Sequence, residues 1–416
     1  MTIFARPFRL KLHSSGNSSY IIDLLVNNIK IILLYYNNNM HIYILFALFA
    51  VTTQAFFHRH SRAISKPRVE LQLTPTDDQS RLHWYVIADA NEIRANKPFK
   101  TTIWDKEYVV WKTAPYKYTA IDDRCSHRGA SLSKGKITHT NEIICPYHGY
   151  EFNKTGVLTY VPGLNHTNTP CQNLNHYRVV ERGGWIYLNT IPRPFLPEDA
   201  KSQIYKEPES DNLTFTKIFI KSDFEAYART VSENSLDVMH IGFVHTFGNK
   251  DSPSPIKEVP PHMMNDDPYH YRTQYEYKSG KDSLVKRIYK IPELRIENEF
   301  ILPHTTIARV IFGDFVSTVV TFATPTNMTH SRLFVKTYRN FWYMTESNNI
   351  FASWMNALGN RMTTKMMTET VNQDKCVIQH IPLRCIDGRF NMKFDKLQNV
   401  YRTLYKRLVH NATSDI

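Results

Sequence analysis

Two short stretches, each mixing one cysteine with one histidine, constrain this chain more than any other feature. Cys125-x-His127 is followed, after seventeen intervening residues, by Cys145-x2-His148. Four metal-ligating side chains in two loops serve one centre only if the fold brings both loop tips together. The flanking sequence offers the means. HWYVIA (83–88), EYVVWK (107–112), KYTAID (117–122), EIICPY (142–147), YRVVER (177–182) and GWIYLN (184–189) alternate or run apolar between turn residues. These short strands predict a small antiparallel sandwich or barrel over 81–192, with the Cys/His loops at hairpin tips.

Two thiolates and two imidazoles suit a Rieske [2Fe–2S] cluster, with Cys125 and Cys145 on one iron and His127 and His148 on the other. Neutral imidazoles in place of thiolates raise its potential above that of a four-cysteine cluster. The rival readings are a zinc site and two unrelated loops. Zinc sites usually pair Cys-x(2–4)-Cys with His-x(3–5)-His, whereas each loop here mixes the two residue types. His139 falls between the loops but outside the spacing and reads as a surface residue.

A second constellation begins about one hundred residues downstream. Residues 222–247 contain Glu233-Asn234-x2-Asp237-x2-His240-x4-His245. Phe224, Tyr227, Val231, Ser235 and Val238 follow a helical period, which predicts a helix there. Five residues subtend roughly 140° on a helix, so both histidines face one point only if the helix ends or bends. Gly242 permits that. Two histidines and one carboxylate on one face suit a mononuclear Fe(II) with open positions. The carboxylate must come from elsewhere. Residues 350–380 read as mostly helical and offer Asp374 first, with Glu369 in reserve. The alternative for the pair alone is an ordinary helix with two satisfied histidines.

Between the constellations, residues 295–342 alternate strongly. Successive antiparallel strands with a covering helix predict an α+β domain over 205–390. Pro253, Pro255, Pro260, Pro261 and Pro268 predict a loop over 251–270, a candidate lid near the iron helix. Residues 391–416 read as a polar, basic tail. Five cysteines in 416 residues make no disulfide scaffold.

The two motifs together resemble the Rieske non-heme iron oxygenases, over roughly residues 81–390. The fold class expected is α+β: a small all-β Rieske [2Fe–2S] domain plus a catalytic domain of helix and antiparallel sheet. The resemblance implies two cofactors, one Rieske [2Fe–2S] cluster and one mononuclear Fe(II) on His240, His245 and Asp374. It implies a homotrimer in which Asp237 bridges to a cluster histidine of a neighbouring subunit. Respiratory-type Rieske proteins carry an extra cysteine in each loop. Ala130 and Tyr147 stand at those places, which favours the oxygenase type. The segment 295–342 looks most like the plastid branch that includes pheophorbide a oxygenase, chlorophyllide a oxygenase and Tic55-like proteins. That branch implies a ferredoxin-like electron donor, O2 and a small apolar ring substrate, first a chlorophyll-derived tetrapyrrole. Another aromatic, carotenoid or sterol substrate is the alternative, as is a redox component of plastid protein import. The branch usually ends in Cys-x2-Cys and apolar anchoring helices. Here eight residues separate Cys376 from Cys385, which leaves membrane association open.

Residues 1–69 read as a leader with no folded element over 1–39. From Met40 an apolar core runs to Phe57, and an acid-free basic stretch follows over 58–69. A signal-like part ahead of a transit-like part resembles the two-part address of complex algal plastids, with an endomembrane location as alternative. Residues 1–69 carry eight Lys/Arg and one acid, leaving 43 Lys/Arg against 37 acids in the body. That mildly basic balance is spread out. It offers no nucleic-acid stripe but suits an acidic redox partner.

Overall fold

Strands form where alternating apolar residues have a face to bury, and they dominate the computed structural model. It describes residues 81–164, 172–198, 204–279, 290–344, 350–388 and 391–409, with the backbone of five N-terminal strands. Those five are β1 (Thr2–Ala5), β2 (Phe8–Ser15), β3 (Ser19–Val26), β4 (Ile29–Tyr36) and β5 (Asn39–Leu45). They pair in order as an antiparallel meander, where no folded element was expected. The apolar runs are cut by Asn-Asn dipeptides at 27–28 and 37–38, a turn composition the leader reading underweighted. The signal-like and transit-like stretches beyond residue 45 lie outside the described residues.

The part that holds the two Cys/His loops is all β, as expected. Strands β6 (Trp84–Asp89), β7 (Phe99–Ile103), β8 (Lys106–Ala114) and β9 (Lys117–Asp122) precede a four-stranded sheet. Its strands are β10 (Lys136–Ile137), β11 (Ile143–Ile144), β12 (Glu151–Phe152) and β13 (Leu158–Tyr160). The larger sheet closes with β14 (His176–Arg182) and β15 (Trp185–Pro192), in the order β6-β15-β14-β9-β8-β7. The run 142–147 is thus strand for two residues only, because Cys145 already belongs to a metal loop.

The second part is a seven-stranded antiparallel sheet. It comprises β16 (Thr216–Phe224), β17 (Lys257–Met264), β18 (Asp267–Lys278), β19 (Glu293–Ile301), β20 (Thr305–Phe312), β21 (Phe315–Pro325) and β22 (Ser331–Arg339). Their order is β16-β22-β21-β20-β19-β18-β17. Between β16 and β17 lie α1 (Ala228–Leu236) and the single turn α2 (Ile241–Val244); α3 (Ile350–Ile378) and α4 (Lys396–Leu404) follow β22. Helix α3 packs Met367, Val371 and Ile378 against Ile218 and Phe224 of β16 and Leu333 and Val335 of β22.

Two expectations are corrected here. The proline-rich stretch holds an edge strand, β17, rather than a loop throughout. The β17–β18 register shifts between Val259 and His262, which takes Pro260 and Pro261 out of the ladder. Proline is tolerated at an edge or bulge because no ladder N–H is demanded there. The supposed C-terminal tail is also structural. Leu397, Tyr401, Tyr405 and Val409 recur every fourth residue and are buried with Leu82, Tyr227, Leu236 and Phe300. Charged side chains between them disguise that stripe as a polar segment.

A buried ionic seam ties the linker to both parts. Lys336 Nζ reaches Glu207 Oε1 at 2.7 Å and lies 4.2 Å from the ring centre of Trp185. Glu209 accepts Arg309 Nε at 2.8 Å and the Thr318 hydroxyl at 2.7 Å. The tight β7–β8 hairpin adds a second tie, since its Asp105 N–H donates to Thr326 O at 2.8 Å.

Candidate metal centres

The two Cys/His loops are near copies of one turn. Cys125 N–H donates to Ala130 O at 2.9 Å, and Gly129 N–H returns to Cys125 O at 2.8 Å. Cys145 N–H donates to Tyr150 O at 2.8 Å, and Gly149 N–H returns to Cys145 O at 3.1 Å. Both turns need a left-handed residue four positions after the cysteine, and Gly129 (φ 70°) and Gly149 (φ 72°) supply it. The loops meet with the cysteines inside and the histidines outside. Cys125 and Cys145 are buried, whereas His127 and His148 are exposed with ring centres 4.6 Å apart. Tyr150 stacks on His127, 4.8 Å away and nearly parallel. Burial pushes the Cys125 thiol up to about 11. A coordinated metal is what holds such a sulfur as thiolate, so the donor set fits an iron–sulfur cluster. Beneath the first loop, buried Asp123 accepts the Ser133 N–H at 2.6 Å and the Ser131 and Ser133 hydroxyls. Sequence reasoning missed that anchor, although Asp123 stands two residues before Cys125.

The second site is assembled from distant chain segments. The predicted helix over 222–247 is broken, as the geometry required, but at Asp237 rather than at Gly242. Asp237 caps α1 in extended conformation, and its Oδ1 accepts the Met239 N–H at 2.7 Å. The chain then turns once more as α2, with His240 at its N-terminal and His245 at its C-terminal boundary. Gly242 serves close packing instead: a Cβ there would lie 2.6 Å from Pro253 Cβ.

Helix α3 delivers the carboxylate. Asp374 Oδ1 lies 3.3 Å from His240 Nε2 and 3.5 Å from His245 Nε2, and the two Nε2 atoms are 3.1 Å apart. Glu369, the reserve ligand, is exposed and accepts Gln373 Nε2 at 3.2 Å. Asp374 Oδ1 is buried with no hydrogen-bond partner. Burial disfavours a charged His240, yet the nearby Asp374 carboxylate, with Asp237 behind, holds its pKa above the ordinary value. Burial keeps that of His245 below it. Convergent acceptor atoms around an unpartnered carboxylate oxygen fit a cation better than a bare cavity.

Two domain families match the chain in succession. Residues 83–177 match the Rieske [2Fe-2S] domain, and residues 224–411 match the vanillate O-demethylase oxygenase C-terminal domain. The chain belongs to the Rieske non-heme iron oxygenase family. The matched Rieske [2Fe–2S] segment contains Cys125, His127, Cys145 and His148. Chloroplastic pheophorbide a oxygenase from Arabidopsis thaliana is 28% identical over 196 residues, covering 42% of this chain and 35% of that protein. The iron–sulfur subunit of the toluene-4-sulfonate monooxygenase system of Comamonas testosteroni is 28% identical over 180 residues, 42% of this chain and 50% of its own. The matches thus span a third to a half of these relatives. The crystal structure of dicamba monooxygenase bound to dicamba shares the fold, with a TM-score of 0.66 and 18% identity over 80% of this chain and 99% of that one. Among the described residues, no helix is long and apolar enough to cross a membrane.

Proposed function

We propose that this chain is an oxygenase with two metal centres: a Rieske [2Fe–2S] cluster on Cys125, His127, Cys145 and His148, and a mononuclear Fe(II) on His240, His245 and Asp374. Bound there, the cluster supplies one-electron transfer at a raised potential, and the iron supplies O2 activation at open coordination positions. The observation that carries this reading is the convergence of His240, His245 and Asp374 within 3.5 Å on a chain that also bears a Rieske domain.

The side chains divide the remaining work. Buried Cys125 and Cys145 keep water from the sulfurs, while His127 and His148 face outward toward a redox partner. Asp237 Oδ2 lies 3.9 Å from His240 Nδ1 and remains half-exposed. Its proposed role is to accept a hydrogen bond from a cluster histidine of a neighbouring subunit in a homotrimer. Val238 and Met239, just ahead of His240, pack with Tyr275, Tyr277, Ile296 and Phe394. Such packing keeps water from the backbone that presents His240.

The substrate proposed first is a chlorophyll-derived tetrapyrrole, in a plastid, with electrons from ferredoxin. Its support is the plastid relative and the resemblance of segment 295–342. A mildly basic body would also meet an acidic ferredoxin with favourable charge. Another aromatic, carotenoid or sterol substrate is the alternative. The deciding assay combines the protein with ferredoxin, its reductase and a panel of chlorophyll derivatives under labelled O2. Label in a tetrapyrrole supports the reading. Label only in a smaller aromatic or a sterol removes the tetrapyrrole and keeps the oxygenase. A fluorescent fusion of residues 40–69 should reach a plastid; retention in the secretory path removes the location.

A further inference from the structure

Helix α3 contributes more than Asp374. One residue earlier, Gln373 Oε1 stands 3.2 Å from Nδ1 of His245, on the ring edge opposite Nε2. One turn earlier, Glu369 Oε1 accepts the other end of the same amide, Gln373 Nε2, at 3.2 Å. A carboxylate only accepts, so the group facing Glu369 must be the amide NH2 and the group facing His245 must be the carbonyl oxygen. A carbonyl oxygen also only accepts, so His245 Nδ1 must carry the proton. The Nε2 lone pair is then left bare, pointing at His240 Nε2 and Asp374.

From this relay we infer that Gln373 is a positioning residue that sets the tautomer and ring orientation of His245, and that Glu369 locks the Gln373 amide. This rests on the metal-site reading proposed above. It also assigns a role to Glu369, a carboxylate that could otherwise pass for a ligand. The i,i+4 spacing places Glu369 over Gln373 on the same helix that presents Asp374. One rigid element thereby carries a ligand and the group that orients a second ligand. Outer partners of metal-bound histidines commonly govern metal affinity by about 10–100-fold. His240 has no equivalent amide; its Nδ1 is buried without a hydrogen-bond partner, with Asp237 3.9 Å away.

The test is Fe(II) binding, independent of turnover. The full-length protein with its cluster intact, stripped of mononuclear metal, is dialysed anaerobically against graded Fe(II), and bound iron above the cluster content is measured. Gln373→Leu, which fills the space without an acceptor, should weaken Fe(II) about 10–100-fold. Gln373→Glu, which keeps an acceptor for Nδ1–H, should recover most of that loss. Glu369→Ala, on the exposed face, should cost less than Gln373→Leu, because the amide is then free to flip. Wild-type affinity in Gln373→Leu overturns the inference. Should that variant fail to fold by circular dichroism, wild-type affinity in Glu369→Ala overturns it instead. The parent reading fails separately: if Asp374→Ala and His245→Ala both bind Fe(II) like wild type, the metal is not held at this site.

Discussion

Asp374 Oδ1 lies 3.3 Å from His240 Nε2, buried on the side of the carboxylate that faces both histidines. The two residues belong to different elements, a 29-residue helix and a one-turn helix, so only the packed sheet and helix layers bring them together.

That contact predicts the metal content. The reconstituted protein should hold about three irons per chain, two in the cluster and one mononuclear. Asp374→Ala should retain about two and keep a Rieske-type electron paramagnetic resonance signal after reduction. Zinc in the Cys/His site, or unchanged iron in Asp374→Ala, contradicts the assignment.

The Asp237 carboxylate makes no hydrogen bond to the proposed iron ligand beside it, since its Oδ2 lies 3.9 Å from His240 Nδ1. Asp237→Ala should therefore keep both metals and reduce its cluster at the wild-type rate, while substrate turnover collapses. Iron lost from either site would make Asp237 a structural cap of the broken helix, whose Oδ1 holds the Met239 N–H.

Stability should depend on Glu299, which is fully buried and accepts His270 Nε2 and Arg272 Nε, each at 2.8 Å, along with Arg309. Burial opposes its charge, but His270, Arg309 and Arg272 outweigh that and hold its pKa below the ordinary 4.5. A depressed carboxylate stabilises the fold above its unfolded pKa, and the contribution fades as pH falls through the folded value. Thermal midpoints should drop below about pH 4.5 in wild type. Glu299→Gln should flatten that dependence and cost about 3–5 kcal/mol near neutral pH, by leaving Arg309 buried and under-partnered. A neutral-pH midpoint equal to wild type contradicts this.

Gly242 packs against Pro253 between the two histidines proposed to hold iron, with no room for a Cβ. Gly242→Ala should push the 249–253 segment away and separate His240 from His245. Fe(II) should bind more weakly, while the cluster signal stays unchanged. Equal Fe(II) affinity would show that the segment yields without moving the histidines.

The Rieske half was legible in the sequence because its chemistry is local. Cys125, His127, Gly129 and Cys145, His148, Gly149 each specify a turn through hydrogen bonds that span five residues at most, and alternating strands hold the turns in place. The same holds for His240 and His245, whose spacing demands a helix break wherever it falls. What required tertiary structure was every relationship set by packing across distant segments. The break lies at Asp237 because its carboxylate caps the next turn, and Gly242 is spent on contact with Pro253. Pro260 and Pro261 sit in a strand because that strand occupies a sheet edge. The basic C-terminal segment is core because its apolar residues meet Tyr227 and Phe300. Asp374 and Glu369 are both carboxylates on one helix. Only the rotation of that helix against β16 and β22 turns Asp374 to the histidines and leaves Glu369 outside, holding Gln373.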